Sequence, residues 1–515
     1  MFCTDIMDNT RHTGSSRIAK NTLMLYVRML ALLLVGLYTS RVVLNALGET
    51  DYGVYNVIGG VVAMFTIISG ALNSAVSRFI TFEMGKGKGA QLNKVYSTAV
   101  NIQIILAAIV VMVAEPAGLW FIENEMTIDP ARIPAAKWVL QFSLAAFVIN
   151  LMSVPQMASI TAHEKMSAYA AIGLLDGFLR LGVAVLVANS RSDRLVLYAA
   201  LMAVVVLCVR MAYGFYCRRC FAECRYRPVF DRPLIKEMFS FAGWNFIGVT
   251  SGVLRDHGGN ILVNLFSGPA VNAARGIAVQ LNGAVQGFVT NFMTAVNPQI
   301  TKSYAGGDRD YMFSLMRKSS SMSFYLLFIL AMPVLFNTGP VLELWLKEVP
   351  GHSVLFVQLF LIFALSESFS NPLITAQLAT GNIRDYQIVV GGLQLLNLPV
   401  SYVLLKNGAM PEVTVVVAIF ISQICLYARL FMLRRMIDFP VRKYLARVYF
   451  RALATAAVSV MLLIPVDLMM PDSTAGFMLS LAVCLLLTSA SVYFVGFNRD
   501  EKEMIVSYLK KVFAR

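Results

Sequence analysis

The chain's most constraining feature is a succession of long apolar blocks separated by short polar stretches. A helix needs about 20 apolar residues to cross a bilayer, and blocks such as 92–115, 195–216 and 475–496 reach that length. Because every backbone N–H and C=O must be paired in lipid, each block predicts a helix. Only 14% of the residues are charged, against about 25% in soluble chains, which excludes a large soluble enzyme. The sequence therefore predicts an all-α, polytopic membrane protein.

Fourteen transmembrane helices are predicted, and the links between them are too short for a folded soluble domain. Their approximate bounds are 21–46, 53–80, 92–115, 136–160, 168–188, 195–216, 238–266, 269–298, 317–338, 353–378, 384–405, 412–433, 448–467 and 475–496.

The charge of the chain is strongly basic, with 43 Lys and Arg residues against 29 Asp and Glu and a net charge of +14. Such an excess also occurs in nucleic-acid-binding proteins. Here, however, the basic residues outside the apolar blocks concentrate in alternate loops, on the side that holds both termini, which is the positive-inside pattern of membrane proteins. We therefore expect cytoplasmic termini, membrane lipids as partners and no nucleic-acid partner.

A short segment recurs within the chain. Ala75–Thr81, which closes the second predicted helix, matches Ala295–Thr301, which closes the eighth, at four of seven positions, and Gly48 maps onto Gly268 at the same offset. Six helices separate the two copies, so the repeat predicts two pseudo-symmetric six-helix lobes around a central cavity, with a chance match as the alternative. The predicted regions are an N-terminal cytoplasmic tail (1–20), an N-lobe (21–235), a C-lobe (236–435), and a C-terminal helix pair with a cytoplasmic tail (436–515).

Charged side chains inside the apolar blocks are the strongest sign of a functional site, because a charge at bilayer depth costs several kcal/mol unless it faces protein or water. For Arg41, near the far end of its helix, snorkelling to the membrane surface is the alternative, and snorkelling is the interpretation for Arg429. Five arginines are predicted to bind substrate in the cavity: Arg28, Arg41, Arg78, Arg255 and Arg275.

Two predicted helices carry further polar groups. The seventh contains Arg255-Asp256-His257-Gly258-Gly259, which predicts a locally broken helix at a binding point, or else an Arg–Asp pair packed against another helix. In the eighth, Asn272, Asn282 and Gln286 lie with Arg275 in a stripe within roughly 80° of arc. We predict that this stripe binds substrate, and hydrogen bonding between packed helices is the alternative.

Three acids lie within the apolar blocks, namely Asp176, Asp256 and Glu367, and each is a candidate to couple transport to a proton or sodium gradient. For Asp176 the alternative is neutralisation by Arg180 four residues later, and for Glu367 it is simple hydrogen bonding. Since arginines outnumber these acids, the cavity predicts an anionic substrate. The sequence predicts no catalytic residue, no bound cofactor and no metal site, since the cysteines Cys217, Cys220 and Cys224 lack a fourth ligand.

Two stretches of the sequence resemble the polysaccharide (O-antigen, Wzx-type) flippase family of the multidrug/oligosaccharidyl-lipid/polysaccharide exporter superfamily. They are Thr39–Gly48 followed by Asp51–Tyr55, and Asn272–Gly276 together with Pro298–Thr301. The resemblance extends in layout over helices one to twelve. It implies two six-helix lobes and transport of an undecaprenyl-diphosphate-linked oligosaccharide from the cytoplasmic to the periplasmic leaflet by alternating access, for surface polysaccharide or lipopolysaccharide biosynthesis.

The resemblance also implies a location and partners. The chain would lie in the bacterial inner membrane, with lipid-linked oligosaccharide as its substrate and glycosyltransferases and a polymerase of the same pathway as candidate partners. Two alternatives remain open: a multidrug exporter of the same superfamily, which would favour acidic cavity groups, and a membrane glycosyltransferase or polymerase.

Overall fold

The computed structural model describes residues 14–498 except 64, 88, 127, 347 and 470–472, together with residue 502. Most of the N-terminal tail and nearly all of the C-terminal tail predicted from the sequence lie outside these residues. Within the described part the chain is helical and contains no β-strand. Its α-helices are α1 Gly14–Ala63, α2 Thr66–Gly85, α3 Gly89–Asn124, α4 Ile133–Ala162, α5 Met166–Ala188, α6 Arg194–Cys220, α7 Arg232–Ala305, α8 Arg309–Phe336, α9 Thr338–Leu346, α10 Ser353–Ser368, α11 Asn371–Thr380, α12 Arg384–Leu395, α13 Asn397–Lys406, α14 Val413–Ile437, α15 Val441–Tyr444, α16 Phe450–Met469 and α17 Thr474–Ser491.

These helices confirm the predicted all-α, polytopic fold class. Within the described residues, ten helices are long and apolar enough to cross a membrane, and the bent pair α10 and α11 raises this to eleven. The described residues of the other three predicted spans, 53–80, 238–266 and 269–298, are also helical apart from a turn at Phe65 between α1 and α2. These spans carry more glycines, amides and charges and are not among the eleven. They are the helices that hold most of the predicted site residues.

Two long helices each contain one sharp break, and both breaks occur at a glycine. α1 is interrupted at Gly48 (φ 76°, ψ 169°) and α7 at Gly268 (φ 83°, ψ 176°). This region of backbone space is almost closed to residues with a Cβ, which is why glycine is needed there. The two positions that match in the sequence repeat therefore adopt the same unusual conformation and separate the first predicted helix from the second, and the seventh from the eighth.

The tenth predicted span is divided into α10 and α11, which meet at an angle of 41°. Pro372 lies in the first turn of α11, where its missing N–H costs little, and it cannot donate the hydrogen bond that would continue α10. The break places Glu367, Ser368 and Ser370 at a point where the helical ladder is interrupted.

The described chain divides into two compact units. Unit 1 contains residues up to Val249 together with Thr294–Gly307, and unit 2 contains Thr250–Met293 and the chain from Asp308 onward. In unit 1, α1 packs on α5 and α4 packs on α6; in unit 2, α10 packs on α14 and α8 packs on α17. α7 contributes its middle to unit 2 and both its beginning, up to Val249, and its last turns to unit 1.

Candidate functional site

A cleft in unit 2 brings together residues from four helices, α7, α8, α10 and α11. It is open to solvent and has a cavity volume of about 110 Å³. Its lining residues are Arg255, Gln286, Val289, Thr290, Leu327, Phe363, Ala364, Glu367, Ser368 and Asn371. One cation, one acid, two amides and two hydroxyl groups thus share a small cleft whose lining is mostly polar, as expected of a binding site for a polar ligand.

The break at Gly268 explains how α7 can line this cleft twice. Arg255 precedes the break and Gln286 and Thr290 follow it, so the two halves of one long helix fold back on each other. Glu367 is placed at the cleft by the end of α10. These groups are far apart in sequence, and the tertiary fold alone brings them together.

Arg255 is held by an acid and an aromatic ring. Its Nε and Nη2 donate to the two carboxylate oxygens of Asp256 at 2.9 and 3.4 Å, and its guanidinium lies 4.9 Å from the centre of the Phe363 ring. The Arg255 side chain is 14% exposed, whereas that of Asp256 is 62% exposed. Glu367 adds a second negative charge that acts on Arg255. The arginine is therefore oriented for anion binding, but its charge is partly balanced in this conformation.

Arg275 is 4% exposed and packs against the first half of α7. Its guanidinium donates to the side-chain oxygen of Asn260 and, at 3.3 Å, to the backbone carbonyl of Asp256, and it lies 5.3 Å from the Phe360 ring centre. A Cβ on Gly259 would approach its Nη2 to 2.6 Å. Arg275 thus links the two halves of α7 in unit 2, and it is not one of the residues that line the cleft.

The glycine pair in α7 has a different role from the one predicted. The helix is continuous through Gly258 and Gly259, so the predicted break at this point is wrong. Both glycines permit close packing instead: a Cβ on Gly258 would lie 2.4 Å from a methyl group of Leu398, and Gly259 accommodates Arg275. The glycine pair suggested an irregular backbone, but the backbone is helical and the glycines are needed because neighbouring side chains approach closely.

Arg429 is a buried cation that the sequence interpretation missed. It is 1% exposed, so snorkelling to the membrane surface is wrong for this residue. Its Nη1 donates to the Ser370 hydroxyl at 2.9 Å, in the break between α10 and α11, and Glu367 acts on it electrostatically. Its position two turns from the end of α14 suggested access to the surface, but the packing of α10, α11 and α12 on α14 closes that route.

The polar stripe on the second half of α7 is only partly gathered at the cleft. Gln286 and Thr290 line it, while the side-chain oxygens of Asn272 and Asn282 are buried and have no hydrogen-bond partner among the described residues. An unsatisfied buried amide oxygen costs about 1–3 kcal/mol, so both asparagines are candidates to receive a donor from a ligand or water.

Arg28 in unit 1 rests on α5. Its guanidinium lies 4.4 Å from the Tyr169 ring centre, and a Cβ on Gly173 would approach its Nε to 2.2 Å. Its Nε is buried and has no hydrogen-bond partner among the described residues. As with Arg275 and Gly259, a glycine on an adjacent helical segment makes room for an arginine within the membrane-spanning region.

The remaining predicted residues of unit 1 occupy different surroundings. Arg41 is exposed. Arg78 is 8% exposed and lies within 4.4–5.7 Å of three aromatic ring centres. Asp176 accepts a hydrogen bond from Arg180 at 2.9 Å, as the neutralised-pair alternative predicted. The rings beside Arg78 belong to Phe79, Phe82 and Phe241.

A second charged cluster, which the sequence did not indicate, surrounds Glu164 in unit 1. Its carboxylate, 4% exposed, accepts hydrogen bonds from Arg17 (3.0 Å), Gln299 (3.2 Å) and Lys302 (2.7 Å). Glu164 has φ 57°, a left-handed conformation that follows the end of α4 and turns the carboxylate toward α1 and α7. Burial alone would raise the pKa of Glu164, but the charge and hydrogen bond of Lys302, then Arg17 and Gln299, lower it below the usual value.

No three His, Cys, Asp or Glu side chains within the described part of the chain converge in a geometry that could hold a metal ion. The residues that line the cleft include no nucleophile paired with a base. What the arrangement offers is recognition: cation and hydrogen-bond donors for an anion, amides and hydroxyls for a polar chain, and one acid near two arginines.

Comparisons with known proteins give two findings from the sequence. A sequence profile described as "Polysaccharide biosynthesis protein" matches residues 18–304, which is more than half of the chain. No curated protein matches the chain significantly.

Several solved structures share the fold. A structure described as "MATE in the bent conformation" superposes with a TM-score of 0.72 at 12% identity, covering 85% of this chain and 98% of that one. An "outward-facing conformation of a multidrug resistance MATE family transporter of the MOP superfamily" gives 0.72 at 12%, covering 84% and 97%. A MOP superfamily transporter from Pyrococcus furiosus, described by a "reverse polarity of binding pocket", gives 0.71 at 11%, covering 84% and 97%. At these identities the likeness shows the fold alone.

Proposed function

Because the chain belongs to the polysaccharide biosynthesis protein family, we propose that it is a membrane transporter for a lipid-linked oligosaccharide. The substrate is an undecaprenyl-diphosphate-linked sugar chain, moved from the cytoplasmic to the periplasmic leaflet of the bacterial inner membrane by alternating access. The product serves surface polysaccharide or lipopolysaccharide synthesis. Both termini are cytoplasmic in this proposal.

The observation that carries the proposal is the composition of the unit 2 cleft. A diphosphate needs cationic donors once it leaves water, and the planar guanidinium of Arg255 can bind two phosphate oxygens at once. A sugar chain needs amide and hydroxyl partners, which Gln286, Thr290 and Asn371 supply.

The ion pair of Arg255 suggests how the substrate could be admitted. Asp256 is mostly exposed and shares a bidentate contact with Arg255, so an incoming diphosphate can replace it without leaving a buried charge unpaired. Glu367 remains near Arg255 and Arg429 and is the best placed of the acids for coupling to a proton or sodium gradient. Asp256 is a second coupling candidate. Asp176 is the weakest of the three, because Arg180 already neutralises it.

Complementation of a flippase-deficient strain tests this proposal, with membrane insertion checked separately by immunoblotting. We expect Arg28→Ala and Arg255→Ala to abolish surface polysaccharide. Each substitution removes both the positive charge and the planar set of N–H donors that can bind two phosphate oxygens. Arg→Lys at either position should leave partial function, because the charge remains. Arg191→Ala, an exposed residue outside the helices, is the control and should have no effect. Normal polysaccharide in both Arg→Ala strains would show that these arginines are structural.

The alternative is export of cationic drugs, and one observation favours it: Glu367 lines the same cleft and could bind a cation. Drug susceptibility separates the two. If the proposal is right, deleting the gene removes surface polysaccharide and leaves drug tolerance unchanged; if the exporter alternative is right, the reverse holds. Glycosyl transfer or polymerisation is the least supported alternative, because the residues lining the cleft include no paired acid and nucleophile.

A further inference from the structure

A basic segment of unit 1 joins α6 to α7 and is fastened along α3. We define the basic strap as residues 218–236. Its irregular middle, residues 221–231, contacts three side chains on one face of α3, spaced four residues apart. Asn93 donates to the carbonyl oxygens of Glu223 (2.9 Å) and Arg225 (2.6 Å), Asn101 donates to that of Val229 (2.9 Å), and the Ser97 hydroxyl accepts from the Arg227 N–H (3.1 Å).

These four hydrogen bonds to α3 use the backbone of the strap and leave its basic side chains free to face outward. Six of them are exposed, and none forms an ion pair within the described part of the chain: Arg218, Arg219, Arg225, Arg227, Arg232 and Lys236. The two acids of the middle segment are already engaged, Glu223 by His163 and Asp231 by Lys94. The strap therefore presents a fixed row of uncompensated positive charge.

Two aromatic residues stand among these cations. Tyr226 is 47% exposed and donates its hydroxyl to Asn101 at 2.8 Å, and Phe230 is 69% exposed. Exposed aromatic rings beside basic residues at the end of a transmembrane helix are typical of the lipid headgroup zone. The strap begins directly at the end of α6, an apolar span, so its charges lie well within a Debye length of the membrane surface.

We propose that the basic strap is a docking surface for anionic phospholipid headgroups of the leaflet that it faces. The phosphate oxygens of the lipids bind the exposed guanidinium groups, while Tyr226 and Phe230 lie among the upper acyl carbons. The α3 contacts hold the row of charges in place before lipid arrives, which reduces the entropy lost on binding. This surface is separate from the cleft and does not depend on the transported substrate.

Lipid retention by the purified full-length protein tests the proposal. The protein in detergent is incubated with equimolar phosphatidylglycerol and phosphatidylcholine, and bound lipid is counted by native mass spectrometry. We expect the wild type to retain phosphatidylglycerol preferentially, and the triple variant R225Q/R227Q/R232Q to lose roughly tenfold or more of this preference. The control R434Q/R435Q/R442Q removes the same charge from exposed positions of unit 2 and should keep most of it.

Three results would overturn the proposal. Equal retention of both lipids by the wild type would show that the strap does not select anionic headgroups. Equal loss in the two triple variants would show that any basic surface suffices. Displacement of phosphatidylglycerol from the strap by an equimolar polyprenyl diphosphate would assign the strap to the transported lipid instead. Since phosphatidylglycerol retention does not require transport, these failures are distinct from a failure of the proposed function.

A second variant tests whether the α3 contacts matter without changing any charge. N93A/N101A removes four of the hydrogen bonds that hold the strap, three to its backbone and one from the Tyr226 hydroxyl. It should weaken the preference for phosphatidylglycerol several-fold, with the thermal midpoint measured to confirm folding. An unchanged preference would show that the row of charges acts without being held, and would overturn that part of the proposal.

Discussion

Arginine and glycine occur as pairs in the interior of this protein. Arg28 lies over Gly173 and Arg275 over Gly259, and in each case a Cβ on the glycine would meet the guanidinium at less than 3 Å. Each arginine also faces an aromatic ring. The glycine lets the cation lie close against an adjacent helical segment, and the aromatic ring compensates part of the cost of desolvating the cation.

We predict that Gly259→Ala reduces transport about tenfold or more while leaving the fold intact. The added methyl group displaces only the far end of the flexible Arg275 side chain, and alanine gains about 1 kcal/mol over glycine in a helix. Transport and the thermal midpoint are the two measurements. Gly252→Ala on the same helix, whose Cβ would meet only Gln394 at 3.8 Å, is the control. Full transport in Gly259→Ala would mean that the position of Arg275 is unimportant.

Glu164 gives a pH-dependent prediction. Its pKa in the folded protein lies below the usual 4.5, so its contribution to stability is fully present above about 4.5 and is lost as the pH falls through the lower folded value. Glu164→Gln should cost about 1–3 kcal/mol at pH 7, because it weakens bonds to Lys302 and Arg17. Thermal unfolding in detergent should show this deficit at pH 7 and a smaller one near pH 3. A loss of stability that is the same at both pH values would show that the charge of Glu164 does not stabilise the fold.

Among the helices, the two glycine breaks set the course of the chain. Gly48 and Gly268 interrupt α1 and α7 with nearly the same φ and ψ, and nothing lies within 4 Å of a Cβ built on either. The need for glycine is therefore conformational and not steric. Where the chain turns at Gly268, groups from both halves of α7 reach the cleft.

Alanine at either break should destabilise the protein by about 1–3 kcal/mol, since the conformation is strained for any residue with a Cβ. Gly53→Ala, in regular helix with open space around it, is the matched control and should be neutral or slightly stabilising. Thermal midpoints of Gly48→Ala and Gly268→Ala, measured beside this control, test the idea. Equal midpoints for all three variants would contradict it.

The whole molecule is a membrane protein of two compact units, and its orientation is predicted from charge. The basic residues of alternate loops, including the strap, predict a cytoplasmic location for both termini. Reporter fusions at residues 125 and 225 should therefore report opposite sides of the membrane, with residue 225 on the cytoplasmic side. Both fusions reporting the same side would invalidate the predicted topology between α3 and α6.

Amino-acid order alone was enough for the features that depend on local physics. The length of the apolar blocks specified the helices, because a segment in lipid must satisfy its own backbone. Gly48 and Gly268 matched within the sequence repeat, and the structure places the same backbone break at both. The charge of the loops predicts the orientation of the chain in the membrane. This too is a local property, because each loop meets the membrane surface independently of the others.

Tertiary packing decided which polar groups meet. Spacing along one helix shows which residues share a face, but the neighbour of that face comes from a distant segment. Arg429 could therefore be taken for a surface cation, and Glu164 for part of an ordinary loop, until α10 to α12 and the last turns of α7 were in place. The same holds for Gly258 and Gly259. They do not interrupt the helix, and the side chains that they accommodate come from Leu398, far along the chain, and from Arg275, beyond the break at Gly268. A contact between remote segments depends on the packing of every helix between them, and no local pattern encodes it.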